Sequence, residues 1–490
     1  MHWLTRISRL TIIVCMGIVL RVGDGVWADA ARDDKAPRSF DFGFIASRHP
    51  DIHGVTRLKA LGPFFEHADD GHGQRLTAFR PWISRYTDLK NERARREILW
   101  PFHYDKTFRN EAGGRTLVAF WHDFDTTDKK SRYRFWLFPF YFQGRDTHGD
   151  AYGAVFPFGG HIYEFLGQDK IVFWLFPLYS RHQVNEVVTR SWLWPVYSRT
   201  EGNGIYRFRV FPFYGQAKHR DKYSKKFVLW PFWTSARYYY PGSSGYGYVL
   251  FPLYGRIKVE DQSTWMVAPP LFRVSRGDRM NWILAPWPFV QIRTGEVNQR
   301  YFWPVYGKKQ MRGVQSRFVL WPFIFEEQLD RGAIIARRSY ILPFYYADVH
   351  RSRVADEDDA GQVTQRYHKL WPLFSYWRDG DQVRMRSLDL WPLKNTPAVE
   401  RNWSPLWTLY SHTASGENRD TEILWGVYRR HVRGEAYRYT SMFPLVEWGR
   451  DSARDRRHWS LLKGLFGVER HDNTTHYRLL YLIKWQTNPE

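Results

Sequence analysis

Histidine and aspartate, residue types that bind metal ions, are concentrated in three short segments near the start of the chain. Their spacing matches no diagnostic zinc pattern, and the polar residues around them are typical of turns. We therefore expect turns in these segments and assign no metal site. The residues are His67, Asp69, Asp70 and His72; His103 and Asp105; and His122, Asp123 and Asp125.

Motifs of good specificity for catalysis are missing from the sequence. It contains no H-E-x-x-H, no G-x-S-x-G, no phosphate loop and no dinucleotide fingerprint. Carboxylates and tyrosines are plentiful, but a glycosidase or lyase pair leaves no local pattern in a β scaffold, and nothing singles out two of them. Arg276-Gly277-Asp278 has the composition of a turn. No catalytic or cofactor-binding residue is assigned, and no cofactor is expected.

A Pro-centred aromatic motif recurs about every nineteen residues and dominates the sequence. Clear copies are Trp174-Leu-Phe-Pro-Leu-Tyr-Ser-Arg181, Trp192-Leu-Trp-Pro-Val-Tyr-Ser-Arg199 and Val249-Leu-Phe-Pro-Leu-Tyr-Gly-Arg256. Degenerate copies lie around Phe120-Trp121 and Trp425-Gly426, and Gly replaces Pro at Gly426 and Gly464. Pro and Gly share little except an effect on backbone geometry, so this position is expected to be a bend or an unpaired backbone site.

Polar stretches with turn residues separate the motifs, as in Glu201-Gly-Asn-Gly204 and Arg378-Asp-Gly-Asp381. The flanks are rich in β-branched and aromatic residues and lack helical periodicity. We therefore expect an all-β fold of repetitive antiparallel strands or hairpins, propeller- or solenoid-like, with a large up-and-down β-barrel as the alternative. Two arrangements stay open: strand, turn, strand with Pro between the units, or one long strand with Pro at its middle.

If a strand runs through the motif, alternation places Leu175, Pro177, Tyr179 and Arg181 on one face. Both faces are then apolar near the proline, which predicts that this segment is covered on both sides while the turns face water. Tyr and the basic residue two positions later share a face, so a cation and an aromatic ring are expected to meet on one strand or across strands.

The ends and one interruption of the repeat predict the domain organisation. Residues 1–30 have a basic start, an apolar stretch and small residues for cleavage, typical of an export signal, and hold the only cysteine, Cys15. Residues 31–57 lack the motif and are expected to form an N-terminal cap or linker. Residues 58–490 are predicted to be one continuous repeat domain of about two dozen units, with an acidic insertion near 350–365.

The formal net charge of +22 is spread along the chain without a basic block. For an exported protein, a diffuse positive field favours anionic glycans, lipopolysaccharide or lipid head groups over nucleic acid, and allows membrane association. The leading hypothesis is a non-enzymatic envelope protein of a bacterium, in the periplasm, outer membrane or cell surface, that acts as a scaffold or binding surface. An outer-membrane barrel is the first alternative and a secreted polysaccharide-acting enzyme the second.

Overall fold

The computed structural model describes residues 39–353, 361–472 and 474–487. The expected export signal at 1–30, with Cys15, lies outside the described residues, as does the acidic run from Ala355 to Ala360. The described chain is nearly all β and divides into two compact units. Unit 1 comprises residues up to Pro101 and from Tyr367 onward, and unit 2 comprises Phe102–Arg366.

The first part of unit 1 consists of seven strands. They are β1 (Phe40–Phe42), β2 (Ala46–Pro50), β3 (Thr56–Ala60), β4 (Phe65–Asp69), β5 (Gln74–Phe79), β6 (Ile83–Asp88) and β7 (Arg93–Ile98).

Unit 2 contains a longer run of strands. They are β8 (His103–Phe108), β9 (Glu111–Thr116), β10 (Ala119–Asp123), β11 (Tyr133–Leu137), β12 (Tyr141–Arg145), β13 (Ala151–Val155), β14 (Gly159–Phe165), β15 (Gln168–Trp174), β16 (Tyr179–Val184), β17 (Val187–Trp192), β18 (Tyr197–Gly202), β19 (Ile205–Val210), β20 (Tyr214–His219), β21 (Tyr223–Val228), β22 (Trp233–Tyr240), β23 (Ser243–Leu250), β24 (Tyr254–Val259), β25 (Gln262–Val267), β26 (Phe272–Arg276), β27 (Met280–Leu284), β28 (Val290–Gly295), β29 (Val297–Phe302), β30 (Tyr306–Met311), β31 (Val314–Val319), β32 (Ile324–Asp330), β33 (Ile334–Ile341) and β34 (Tyr345–Ser352).

The remainder of unit 1 follows β35 (Val363–Leu370), which begins in unit 2. Its strands are β36 (Phe374–Asp379), β37 (Gln382–Ser387), β38 (Tyr410–Ser415), β39 (Asn418–Ile423), β40 (Tyr428–Arg433), β41 (Tyr437–Met442), β42 (Val446–Asp451), β43 (Arg456–Leu461), β44 (Phe466–His471), β45 (Thr474–Leu479) and β46 (Ile483–Thr487), and its helices are α1 (Pro397–Asn402) and α2 (Ser404–Trp407). Neither helix of the described chain could span a bilayer.

Consecutive strands pair antiparallel, as in the series β15 to β18, so the chain folds as a meander. This confirms the expected repetitive antiparallel fold. The described residues show no pairing between β1 and β46, so the sheet is open and the closed alternative is not observed. The described strands are only three to eight residues long.

Each aromatic-Pro motif of unit 2 is a turn between two strands, which decides between the two arrangements left open by the sequence. In unit 1 the copy at Pro392 lies instead in the loop before α1. Leu175, Phe176, Pro177 and Leu178 connect β15 to β16, and Leu175 has a φ of +42°. The turn after the next strand is polar, at Asn185-Glu186. Because alternate turns of a meander lie at opposite edges, unit 2 has one edge of aromatic-Pro turns, here named the proline edge, and one polar edge.

The alternative arrangement, one strand that runs through the proline, is wrong, and the motif residues are largely exposed in this chain. Trp174, Leu175 and Leu178 are 60%, 56% and 49% exposed. The period-two reading fails because the positive φ of Leu175 and the following proline reverse the chain, so residues on the two sides of the turn belong to different strands. The degenerate copy near Phe120-Trp121 is also displaced: both residues lie in β10, and the turn is Leu117-Val118. Gly426 and Gly464 do lie in bends, as expected.

Strand register divides the residues of unit 2 between two faces. Cα partners point to the same side of a sheet, and Gly215, Gly255 and Gly307 are connected through successive pairs. We name this side the glycine face. The opposite side, with Tyr214 and Tyr254 at the strand ends, is named the tyrosine face.

The glycine face is the buried side of unit 2. Its residues Thr200, Thr264 and Ser275 are at most 5% exposed, whereas Tyr214 on the other face is 36% exposed. In the stretch β11–β15 this face holds the apolar core of Phe142, Tyr152, Ala154, Ile162, Ile171 and Phe173.

The sheet curls around its glycine face. Trp136 in β11 and Phe165 in β14 have ring centroids 5.0 Å apart, and Arg134 in β11 binds Glu164 at 3.2 Å. A flat sheet would separate these strands by about 14 Å, because neighbouring strands are about 4.8 Å apart. The curl therefore lets a single layer bury one face.

Candidate functional site

The His and Asp residues singled out in the sequence serve local structure. Asp69 and Asp70 accept hydrogen bonds from backbone N–H groups of their own turn. His67 Nδ1 lies 2.9 Å from Thr77 Oγ1, and His103 Nε2 lies 3.3 Å from Asp105 Oδ2. The backbone N–H of His72 donates a hydrogen bond to Asp70 Oδ1 at 2.8 Å.

The third segment behaves in the same way. The ring of His122 stacks on Phe124 with centroids 4.0 Å apart, while Asp123 and Asp125 accept hydrogen bonds within the following turn. Within the described ranges, no three His, Cys, Asp or Glu side chains converge on a point that could hold a metal ion. Asp278, of the Arg-Gly-Asp tripeptide, lies in a polar-edge turn where its N–H donates to Asp261 Oδ2 at 2.7 Å.

A network of buried ion pairs joins the two chain segments of unit 1. Arg429 Nη1 donates to Asp41 Oδ1 at 2.7 Å, and Arg429 Nη2 donates to Glu422 Oε1 at 3.1 Å. Lys59 also binds Glu422, at 2.5 Å. Burial by itself would raise the pKa of Glu422, but the charges of Lys59 and Arg429 outweigh it and lower the pKa to about 2. These groups are ionised and paired at neutral pH.

A second part of the same network is centred on Glu97, whose side chain is fully buried. Arg401 donates to Glu97 Oε1 at 2.7 Å, and Asn402 donates to Glu97 Oε2 at 2.6 Å. A cavity of about 560 Å³ in unit 1 is lined by members of this network, including Arg80, Arg401 and Glu422. Because these cations already have carboxylate or carbonyl partners, the network acts as a clasp between the segments and offers little unpaired charge to a ligand.

The glycine face of unit 2 has the opposite electrostatic character. From β19 to β30 its strand positions carry Arg207, Arg209, Lys225, Arg273, Arg293 and Lys309, and no Asp or Glu. The strand register places these residues on one face, because alternate positions of each strand point to the same side of the sheet. A carboxylate-free, partly enclosed face of this kind favours anions.

The first part of this basic face contains a cavity of about 580 Å³. Arg207, Arg209 and Lys225 line it together with Thr200 and Tyr238, and its lining contains no carboxylate. Arg209 Nε is buried and has no hydrogen-bond partner among the described residues. The small side chains of β20 to β24 leave this space, whereas the aromatic core of β11–β15 fills the same face.

The second part is a stack of two arginines on one tryptophan. The guanidinium carbons of Arg273 and Arg293 lie 4.3 and 3.9 Å from the ring centroid of Trp282. Trp282 is the direct cross-strand partner of Arg293. We name Arg273, Trp282 and Arg293 the arginine–tryptophan cluster.

The cluster concentrates hydrogen-bond donors that have no acceptor. Nε of Arg273, Nε of Arg293 and Nε1 of Trp282 are all buried and unpartnered within the described chain. Buried polar atoms in proteins are nearly always hydrogen-bonded, so an orphan donor calls for an acceptor, either an ordered water or a bound group. Orphan Nε atoms also occur elsewhere, as at Arg181 and Arg338, but here three orphan donors belong to side chains that stack on one another.

The two arginines of the cluster are electrostatically unfavourable without an anion. Burial lowers the pKa of Arg273, and the charge of Arg293 lowers it further. Burial also lowers the pKa of Arg293. A carboxylate, phosphate or sulfate group would relieve both effects, because it accepts charge-assisted hydrogen bonds from guanidinium groups. The arrangement can therefore bind an anion.

Sequence reasoning missed this cluster and the basic cavity. The residue spacing alone does not show which arginines share a face, because two arrangements of the aromatic-Pro motif stayed open and each gives a different assignment of faces. Among the described residues, the motif cations have other partners than the motif tyrosine: Arg256 lies 4.4 Å from the ring of Trp265, its cross-strand partner, and Arg199 binds Glu201.

No protein-family model matches the chain, and no curated protein sequence matches it.

Proposed function

We propose that this chain is an exported, non-enzymatic protein of the bacterial cell envelope that binds an anionic envelope polymer or glycan on the glycine face of unit 2. The observation that carries the proposal is the arginine–tryptophan cluster, with three buried donors and no acceptor. Export rests on the character of residues 1–30.

An acidic polysaccharide suits both parts of the basic face. The carboxylate or phosphate of one residue accepts hydrogen bonds from the cluster, and a neighbouring sugar presents its apolar side to an aromatic ring. Cations spaced along β19 to β30 then bind successive acidic groups of the same chain, so the affinity is multivalent. A polymer is favoured over a small anion because the basic residues extend along several strands.

The test is binding of the purified chain to polygalacturonate, with neutral dextran as the reference polymer. The double variant Arg273→Gln/Arg293→Gln is expected to lose at least about tenfold in affinity, since it removes two charge-assisted contacts. Arg276→Gln/Arg300→Gln is the matched control: it removes the same charge from neighbouring strands, at exposed positions of the tyrosine face.

The control is expected to stay within about twofold of the unchanged chain at about 0.15 M salt, where distant surface charges are screened. Equal losses in the two double variants would show that only the diffuse charge of the molecule matters. Absence of polygalacturonate binding by the unchanged chain, or equal binding of neutral dextran, would also overturn the proposal.

A further inference from the structure

The proline edge of unit 2 carries a row of exposed apolar side chains. Its turns present one to three such residues each and contain no charged residue from Leu117 to Phe344. Contiguous apolar exposure of this extent marks a contact surface. Examples and their exposed fractions are Phe158 64%, Phe213 61%, Phe232 56%, Leu253 65%, Phe323 56% and Phe344 58%.

Much of the backbone of this edge is hydrogen-bonded within the edge itself. In the turn after β17, Leu193 N donates to Leu178 O and Trp194 N donates to Pro177 O, both at 2.8 Å, so the turn is bonded to the preceding proline turn. Val196 N donates to Leu193 O within the turn, at 2.7 Å. The same pattern recurs between later turns, as from Trp321 N to Pro304 O at 2.8 Å. An edge with paired backbone groups can enter an apolar medium at low cost.

Aromatic residues form the next row, at the strand ends. Trp174, Trp192, Tyr214 and Tyr306 lie there and are 36–60% exposed. Trp and Tyr are enriched at the boundary between the hydrocarbon and the head groups of membranes, because their rings are apolar with a polar tip.

A row of cations follows on the tyrosine face, two residues further from the proline edge. From β15 to β31 this row contains no carboxylate. Since a strand rises about 3.3 Å per residue, the cations lie about 7 Å from the aromatic row. They are Arg181, Arg190, Lys226, Arg256, Arg300 and Lys308, together with Arg199 and Arg317, which pair with Glu201 and Glu326.

The order of these rows matches the layers of one leaflet of an anionic bilayer. We propose that the proline edge of unit 2 docks on a negatively charged lipid surface. The apolar turns enter the boundary between head groups and acyl chains to a depth of about 5–10 Å, which is typical of interfacial segments. The Trp and Tyr row lies at the interface, and the cation row binds lipid phosphates. This surface is separate from the glycine face and does not depend on the proposed polymer binding.

Single-cysteine labelling provides a direct test, because Cys15 is the only cysteine of the chain. In a Cys15→Ser background, an environment-sensitive dye is attached either at Leu253→Cys in a proline-edge turn or at Lys222→Cys in a polar-edge turn. With vesicles of phosphatidylcholine and phosphatidylglycerol, the label at 253 is expected to shift to the blue and to be quenched by brominated acyl chains. The label at 222 is expected to change in neither respect.

Cosedimentation with the same vesicles measures the energetic contribution of the turns. Leu178→Ser/Leu253→Ser/Phe323→Ser is expected to lower vesicle partitioning at least about tenfold, because three side chains no longer enter the acyl boundary. The control Leu166→Ser/Tyr206→Ser/Tyr246→Ser removes exposed apolar groups away from the proline edge and is expected to change partitioning less than about twofold.

The remaining outcomes separate this proposal from its competitors and from the proposed function. Equal partitioning to vesicles of phosphatidylcholine alone, or equal dye shifts at both positions, would overturn the docking geometry. A shift at 253 that needs no vesicles and grows with protein concentration would show that a second copy covers the edge. The Arg273→Gln/Arg293→Gln variant should keep its vesicle binding, so failure of polymer binding leaves this test intact.

Discussion

His49 shows how a single buried residue makes the clasp of unit 1 sensitive to acid. Burial and the adjacent charge of His431 lower the pKa of His49 to about 3, against a weaker opposing effect of Asp41. The rings of His49 and His431 have centroids 4.9 Å apart. Arg429 and Lys463 also oppose a charge on His49, so the folded chain keeps it neutral at pH 5.

This shift has a definite sign for stability. Between pH 6.5 and 3 the unfolded chain binds a proton at His49 that the folded chain does not, so stability falls as pH falls through this range. The slope is about 1.4 kcal/mol per pH unit for one fully shifted group. We expect the stability of unit 1 to drop between pH 6 and pH 4, as measured by hydrogen exchange of the β2 and β40 peptides.

His49→Gln should flatten this pH dependence, whereas His53→Gln, at an exposed position of the neighbouring turn, should leave it unchanged. Part of the slope should remain in His49→Gln, because burial also lowers the pKa of His458. A slope that is identical in both variants would contradict the assignment to His49.

At the scale of the strand pair, glycine lets a large side chain lie flat across the neighbouring strand. A Cβ on Gly307 would be 2.1 Å from Phe318, which is 6% exposed on the glycine face. Gly307→Val is therefore expected to destabilise unit 2 by about 1–3 kcal/mol through overpacking.

The matched change is Gly153→Val, since a Cβ at Gly153 has no other atom within 4 Å. Val fits a strand better than Gly, so this variant should be neutral or slightly stabilising. Thermal unfolding of the two variants gives the comparison. If both lowered the melting temperature equally, loss of glycine flexibility and not the contact with Phe318 would be the cause.

The sequence allowed the elements to be predicted but not their boundaries at the motif. Aromatic and β-branched flanks with Gly and Asn between them indicated strands and hairpin turns. The left-handed backbone of Leu175 and Leu193 has no such signal, because Leu rarely adopts a positive φ. If these residues are treated as part of a strand, the residues after the turn are assigned to the wrong face of the sheet. The prediction that both faces of the motif are covered followed from that assignment.

The whole molecule segregates its charges in a way that composition does not reveal. A net charge of +22 predicted an anionic partner in general terms. Which arginines are paired depends on register and on contacts between distant positions, such as Asp41 with Arg429, 388 residues apart. Unit 1 uses its buried cations in the clasp, while the glycine face of unit 2 leaves Arg273 and Arg293 without a carboxylate.

An anomalous-diffraction map of a crystal of the chain soaked in sodium selenate tests this central claim most directly. Selenate offers the oxygen acceptors and negative charge that the orphan donors lack. We expect a peak within about 4 Å of the guanidinium group of Arg273 or Arg293, and none at the paired Arg429. Peaks confined to exposed surface arginines, with the arginine–tryptophan cluster empty, would contradict the claim that this face binds anions.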